Sequence, residues 1–144
     1  MPPETIAIAS DHAGVGLKSI LTEDLEGLGF EVRDLGTQDE QSVDYPDVAD
    51  ALAEAIGAGG IERGVLICGS GIGISMAANR HRHIRAAPCH DALSARLARQ
   101  HNDANVLALG ARLIGTDTAR DCLRTFLATE FEGGRHQRRV GKIS

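Results

Sequence analysis

A cysteine heads the run Cys68-Gly69-Ser70-Gly71-Ile72-Gly73. An apolar stretch, Gly64 to Cys68, comes before it and a helical pattern after it, so the run reads as a glycine-rich turn between strand and helix. Such a turn aims several backbone N–H groups at one point, and the helix dipole adds positive potential there. A place of that kind holds a phosphate, or an oxyanion that forms during a reaction. It also favours a thiolate, which makes Cys68 a candidate base. The spacing is G-x-G-x-G with no Lys-Ser/Thr behind it, which matches neither the dinucleotide fingerprint nor the P-loop. The plainer alternative is that the glycines only turn the chain and Cys68 is a small buried hydrophobe.

Three further groups carry chemistry. Asp11-His12-Ala13-Gly14 sets a carboxylate beside an imidazole, which suits proton handling or a polar substrate; alternatively Asp11 caps a helix and His12 lies on the surface. His101-Asn102-Asp103 offers an imidazole able to protonate a sugar ring oxygen, or it simply ends a helix. Near the end of the chain come Arg135, His136, Arg138, Arg139 and Lys142. Arg135 and Arg139 are four apart, so on a helix they share a face and can grip one phosphate; the alternative is a solvated basic tail. Arg112 is a third candidate cation. His81, His83, Cys89 and His90 have loose spacing without an acidic partner, so no metal is expected there.

The elements that must position these groups alternate. Thr5–Ala9 reads as a buried strand, Val15–Leu28 as a helix stopped by Gly29, and Phe30–Leu35 as a second strand. A polar loop spans 36–44, and Pro46 opens an Ala-rich helix ending in Gly57–Gly60. Gly64–Cys68 is the third strand, Ile74–Arg80 a helix, Ile84–Ala87 a fourth strand and Asp91–Gln100 a helix. Ala104–Leu109 is a fifth strand, and Thr116 caps a helix to about Ala128, followed by a Gly- and Arg-rich tail from Glu132. This order predicts an α/β fold, a Rossmann-like open five-stranded parallel sheet with helices on both faces, over one domain spanning residues 1–144. Ligands in such folds sit at the carboxyl ends of the strands. Asp11-His12 and Cys68–Gly73 lie there, whereas His101-Asn102 precedes the fifth strand. It reaches that pocket only from the opposite side or from another subunit.

The 144 residues carry a formal net charge of -5, 42% hydrophobic and 3% aromatic residues and no Trp. That excludes a disordered chain and leaves nucleic acid without a basic footprint or stacking platform. No apolar run reaches about 18 residues, so no membrane span is expected. Met1-Pro2-Pro3-Glu4 lacks the features of a signal peptide, and three widely spaced cysteines form neither a disulfide framework nor a zinc pattern. A reducing cytoplasmic compartment is expected.

Together these segments resemble the type B ribose-5-phosphate isomerase family, which includes the subunits of galactose-6-phosphate isomerase. The resemblance rests on residues 10–14, Asp44-Tyr45-Pro46, residues 67–75, Ala77-Ala78-Asn79, residues 99–107 and residues 132–140, and covers nearly the whole chain. It implies aldose–ketose isomerisation of ribose 5-phosphate in the pentose phosphate pathway, without cofactor or metal. It also implies a homodimer or homotetramer with each site at a subunit interface, where His101, Asn102 and Arg112 serve the Cys68 of another chain. By the same resemblance His101 protonates the ring oxygen, Asp11 takes the hydroxyl proton, and Cys68 moves the proton between C2 and C1 with Ser70 beside it. Asn102 and the amides of Gly69, Gly71 and Gly73 hold the enediolate. His12, Arg112, Arg135 and Arg139 hold the phosphate, and Tyr45 lines the pocket. Relatives without the cysteine use a Glu near the start of the helix. Ile74 stands at that place here, so the chain falls in the cysteine branch. Other readings stay open: the same chemistry on a four- or six-carbon sugar phosphate, a non-catalytic binding subunit, or, on fold analogy alone, a nucleotide-binding module.

Overall fold

Side chains of the central strands alternate between two buried faces. In strand β1 (Thr5–Ser10), Ile6 and Ile8 face one way and Ala7 and Ala9 the other. Strand β3 (Arg63–Cys68) separates Val65 and Ile67 from Leu66 and Cys68, and strand β5 (Val106–Gly110) separates Leu107 and Leu109 from Val106 and Ala108. Strands apolar on both faces must be covered on both, which is the requirement of a parallel sheet. The structure, a computed structural model, describes residues 2–39 and 41–144; Met1 of the expected N-terminal reading and residue 40 of the expected polar loop lie outside the described residues.

Helices α1 (Val15–Gly27), α4 (Ala92–Asn102) and α5 (Thr116–Ala128) cover the face that carries the larger side chains, with Leu21, Leu25, Leu123 and Phe126 fully buried. Helices α2 (Tyr45–Gly57) and α3 (Ile72–Ala78) cover the other face, lined by Ala7, Ala9, Ala49, Ala53, Ala78 and Ala108. Short side chains there let these helices approach the sheet closely. Strand β2 (Glu31–Asp34) forms one edge, strand β4 (Ala86–Pro88) the other, and helix α6 (Arg135–Gly141) ends the fold.

The five strands are parallel in the order β2-β1-β3-β5-β4. The chain leaves β1 toward one edge and β3 toward the other, so the topological switch lies between β1 and β3, where α/β sheets open a crevice. This is the open five-stranded parallel sheet with helices on both faces that the sequence predicts. The predicted boundaries need small corrections. The fourth strand is displaced to 86–88, because the Asn79 side chain pairs with both backbone groups of Ala86, at 2.7 and 2.9 Å. The third helix begins at Ile72, earlier than expected, because Gly71 takes a left-handed φ of 77° and starts it directly. Helix α4 runs on through His101 and Asn102 and stops at Asp103, whose φ of 47° is left-handed; Arg99 holds its carboxylate at 2.9 Å. Gly115, not Thr116, occupies the cap position of α5. The expected Arg-rich tail contains α6.

Candidate active site

Asp11 follows β1 and Cys68 ends β3, side by side at the switch: the Asp11 N–H donates to the Ile67 carbonyl at 3.1 Å. Cys68 projects to the α2–α3 face because it continues the period of Leu66. The residue is 4% exposed, and its sulfur accepts a hydrogen bond from the Gly71 N–H at 3.1 Å. The Ile72 N–H donates to Ser70 Oγ at 3.1 Å. The turn therefore spends two of its amides on its own side chains, and Gly71, expected to hold an oxyanion, is engaged by the sulfur instead.

A cavity of about 610 Å³ opens over this turn, lined by Asp11, Tyr45, Cys68, Gly69, Ser70, Ile72, Gly73, Arg112 and Leu113. The backbone makes it possible through close approaches. A Cβ on Gly110 would lie 2.5 Å from the Ser70 carbonyl oxygen, and one on Gly73 would lie 2.7 Å from the Tyr45 ring. Arg112 is placed by its own N–H, which donates to the Gly69 carbonyl at 2.9 Å, and its guanidinium lies over Gly69. Asp11 is buried and its Oδ1 accepts from the Ala13 N–H at 3.0 Å, capping a single 3-10 turn over His12–Gly14. Its capping and pocket-lining roles coexist. His12 borders the site rather than lining the cavity. The Val43 N–H donates to its Nδ1 at 3.2 Å, which leaves Nε2 as the protonated nitrogen of a neutral ring. The site thus combines one carboxylate, one thiol, one aliphatic hydroxyl, one phenol and one guanidinium. That set can bind an anion and move protons next to it.

The remaining expected residues are elsewhere. Helix α4 leads into the start of β5, so His101 and Asn102 sit at the opposite end of the sheet from Cys68, roughly 15 Å of strand away. His101 stacks on His136 of α6, with ring centroids 4.4 Å apart and planes 14° apart. Asn102 lines a different cavity of about 410 Å³ with Asn79, Arg85 and Ile143. Arg135 and Arg139 are exposed on α6, near His101. Burial, and then the neighbouring His101, hold the His136 imidazole below its usual pKa. Within one chain the expected constellation is therefore divided into two halves.

The match to known proteins decides the family. Residues 6–143 fit the family model described as Ribose/Galactose Isomerase. This chain belongs to that family. It is an enzyme, an isomerase. It is 45% identical over 139 residues to the ribose-5-phosphate isomerase B of Escherichia coli, covering 96% of this chain and 93% of that one. It is also 45% identical over 140 residues to the D-erythrulose-4-phosphate isomerase of Pectobacterium atrosepticum, covering 96% and 92%. The structure of the Clostridium thermocellum ribose-5-phosphate isomerase B superposes with a TM-score of 0.95 at 52% identity, covering 96% of this chain and 94% of that one.

In this isomerase one expectation about placement is overturned. Arg112, expected with His101 and Asn102 to serve the Cys68 of another chain, lines the pocket of its own Cys68. The reason is that it follows β5, whose carboxyl end adjoins the Cys68 turn. Sequence reasoning missed Lys18. Only 3% exposed in the first turn of α1, it holds both Asp34 oxygens at 2.8 Å and the Thr37 carbonyl at 2.7 Å, pinning the loop that carries Val43 to His12. It also missed Glu132, which lies between His101 and His136. A lone Lys on a helix and a lone Glu in a tail carry no signal of either position. His81 and His83 are engaged separately, His81 with Asp50 at 2.8 Å and His83 with the Ala53 carbonyl at 2.7 Å. Among the described residues no helix is long and apolar enough to cross a membrane.

Proposed function

We propose that this isomerase interconverts ribose 5-phosphate and ribulose 5-phosphate, at a site completed by a second copy of the chain. The observation that carries this is Cys68 Sγ, held by the Gly71 N–H at the edge of a cavity beside Asp11 and Ser70. Cys68 removes the C2 proton of the open sugar and returns it to C1, and the Ser70 hydroxyl assists the transfer between the oxygens. Asp11 accepts the hydroxyl proton as the ring opens. The Gly69 and Gly73 amides stabilise the enediolate. Arg112, with His12 beside the cavity, binds the phosphate.

The division of the constellation supports the second copy. His101, Asn102, Arg135 and Arg139 stand at the far end of the sheet, so they serve a Cys68 pocket only across an interface between chains, as a homodimer or homotetramer provides. Exposed apolar side chains rim the Cys68 pocket: Ile72 and Leu113 line it, and Met76 follows Ile72 one turn along α3. Covering such a rim favours association. In that assembly His101 of a second copy protonates the ring oxygen, its Asn102 supports the enediolate, and its Arg135 and Arg139 complete the phosphate site. The three free cysteines suit a reducing cytoplasm.

A second reading keeps the chemistry and changes the sugar. The equal identity to a ribose-5-phosphate and to an erythrulose-4-phosphate isomerase favours neither. The test is kcat/KM of the purified protein for ribose 5-phosphate, allose 6-phosphate, galactose 6-phosphate and erythrulose 4-phosphate. Ribose 5-phosphate is expected to lead by about tenfold or more. A different leading sugar replaces the substrate assignment, and no turnover of any of them reduces the chain to a binding subunit.

A further inference from the structure

Two imidazoles and one carboxylate converge at the far end of the sheet from Cys68. His101 lies in the last turn of α4, His136 in the first turn of α6, and Glu132 in the segment before α6. The Glu132 N–H donates to the Gln100 carbonyl at 3.1 Å, which fixes its backbone beside His101. One ligand atom from each of the three lies within 4.8 Å of the others. Glu132 Oε1 is 3.6 Å from His136 Nε2 and 3.9 Å from His101 Nε2. Both distances exceed a hydrogen bond. His136 is 7% exposed, and its Nε2 has no hydrogen-bond partner among the described residues. A buried polar nitrogen aimed at a carboxylate it does not reach calls for a third body between them.

We propose that His101, Glu132 and His136 bind Zn2+, and that zinc there stops the isomerase.

Two nitrogens and one carboxylate oxygen form a donor set typical of three-ligand zinc sites, with the fourth position left to water. Zinc bonds to such ligands are about 2.0–2.2 Å, so tetrahedral neighbours sit about 3.3 Å apart. The carboxylate must therefore close on each imidazole by a few tenths of an ångström. Half exposed, Glu132 is free to do so. The stacked rings must also turn so that their Nε2 edges tilt toward one another and both lone pairs meet at one ion. His101, 40% exposed, has room to turn, whereas His136 stays where burial holds it. The inhibitory half of the proposal rests on the functional reading above, in which His101 donates a proton to the sugar ring. A nitrogen bound to zinc has no proton to give. The binding half does not depend on that reading.

The experiment titrates the full-length protein with Zn2+ by calorimetry in a non-chelating buffer, with Co2+ and its visible absorption as a spectroscopic probe. One ion per chain is expected, with tetrahedral Co2+ absorption. Glu132→Gln and His136→Asn should each weaken binding by at least about tenfold. Cys68→Ala should leave it unchanged, which separates this site from a thiolate. Zinc should inhibit wild-type turnover reversibly on chelation, and Glu132→Gln should stay active at the inhibiting concentration. Absent binding, binding that survives both ligand substitutions, or binding lost in Cys68→Ala overturns the proposal. Tight binding in an active enzyme that zinc does not inhibit overturns the inhibitory half. Tight binding in a protein inactive on every sugar phosphate upholds the site and removes the functional reading.

Discussion

Cys68 takes the last position of β3 on the α2–α3 face, and a backbone N–H fixes its sulfur. The other two thiols differ in kind. Burial pushes Cys89 up to about 11 and Cys122 up to about 12. Raised values mean that both stay protonated at pH 8, and the thiolate is the form that attacks. Iodoacetamide at pH 8 should therefore modify Cys68 and spare Cys89 and Cys122 in the folded protein, as read by peptide mass spectrometry. Label on either core cysteine at a comparable rate would contradict this picture of the interior. Cys68→Ala should lower kcat by about 10³-fold, the scale of losing a positioned base, while calorimetry finds binding of the sugar phosphate little changed. Near wild-type kcat in that variant would assign the base elsewhere.

Close backbone approaches and side-chain support within individual elements can be tested apart. The turn after β3 lies so close to the end of β5 that a Cβ on Gly110 would sit 2.6 Å from the Ser70 carbonyl carbon. Backbone cannot yield as a side-chain tip does. Gly110→Ala should cost about 2–3 kcal/mol in urea denaturation and lower kcat, because the displaced turn carries Ser70 and the Gly71 N–H that holds the Cys68 sulfur. Gly16, in the first turn of α1, meets nothing within 4 Å. Gly16→Ala should instead gain about 0.5–1 kcal/mol and leave kcat alone. Lys18 joins α1 to the loop after β2 through Asp34 and Thr37. Asp34 keeps partial contact with water, 31% of its side chain being exposed, so Lys18→Met should cost about 2 kcal/mol rather than the full loss seen for a sealed pair. An unchanged urea midpoint would show that the ammonium gains no more from Asp34 and Thr37 than from water.

For the whole molecule, the decisive feature is that one chain holds Cys68 and His101 at opposite ends of the sheet. A site shared between chains predicts complementation. Cys68→Ala and His101→Ala should each be nearly inactive as purified homo-oligomers. Unfolded, mixed in equal amounts and refolded as random dimers, half of the molecules combine the two variants, and each such dimer has one intact site of two. Activity should then recover to about a quarter of wild type. No recovery, with mixed dimers shown by native mass spectrometry, would place all catalytic groups within one chain.

Much of this architecture was legible in the amino-acid order. Strands buried on both faces must be apolar at nearly every position, so Thr5–Ala9, Gly64–Cys68 and Ala104–Leu109 declare themselves, and their alternation with helices implies a parallel sheet. The glycine run after Cys68 marks a turn, and Gly71 within it lets the backbone come so near β5 that a Cβ there would lie 2.8 Å from the Leu109 carbonyl carbon. Helix α6 was harder to read, since its short and mainly polar run lacks an extended apolar stripe. Tertiary structure alone brought Arg112 to its own Cys68 and laid His101 on His136 with Glu132 between them. The physical reason is that local preference follows from neighbours along the chain, whereas these meetings depend on how helices pack and in what order strands join, and no stretch of residues carries that information by itself.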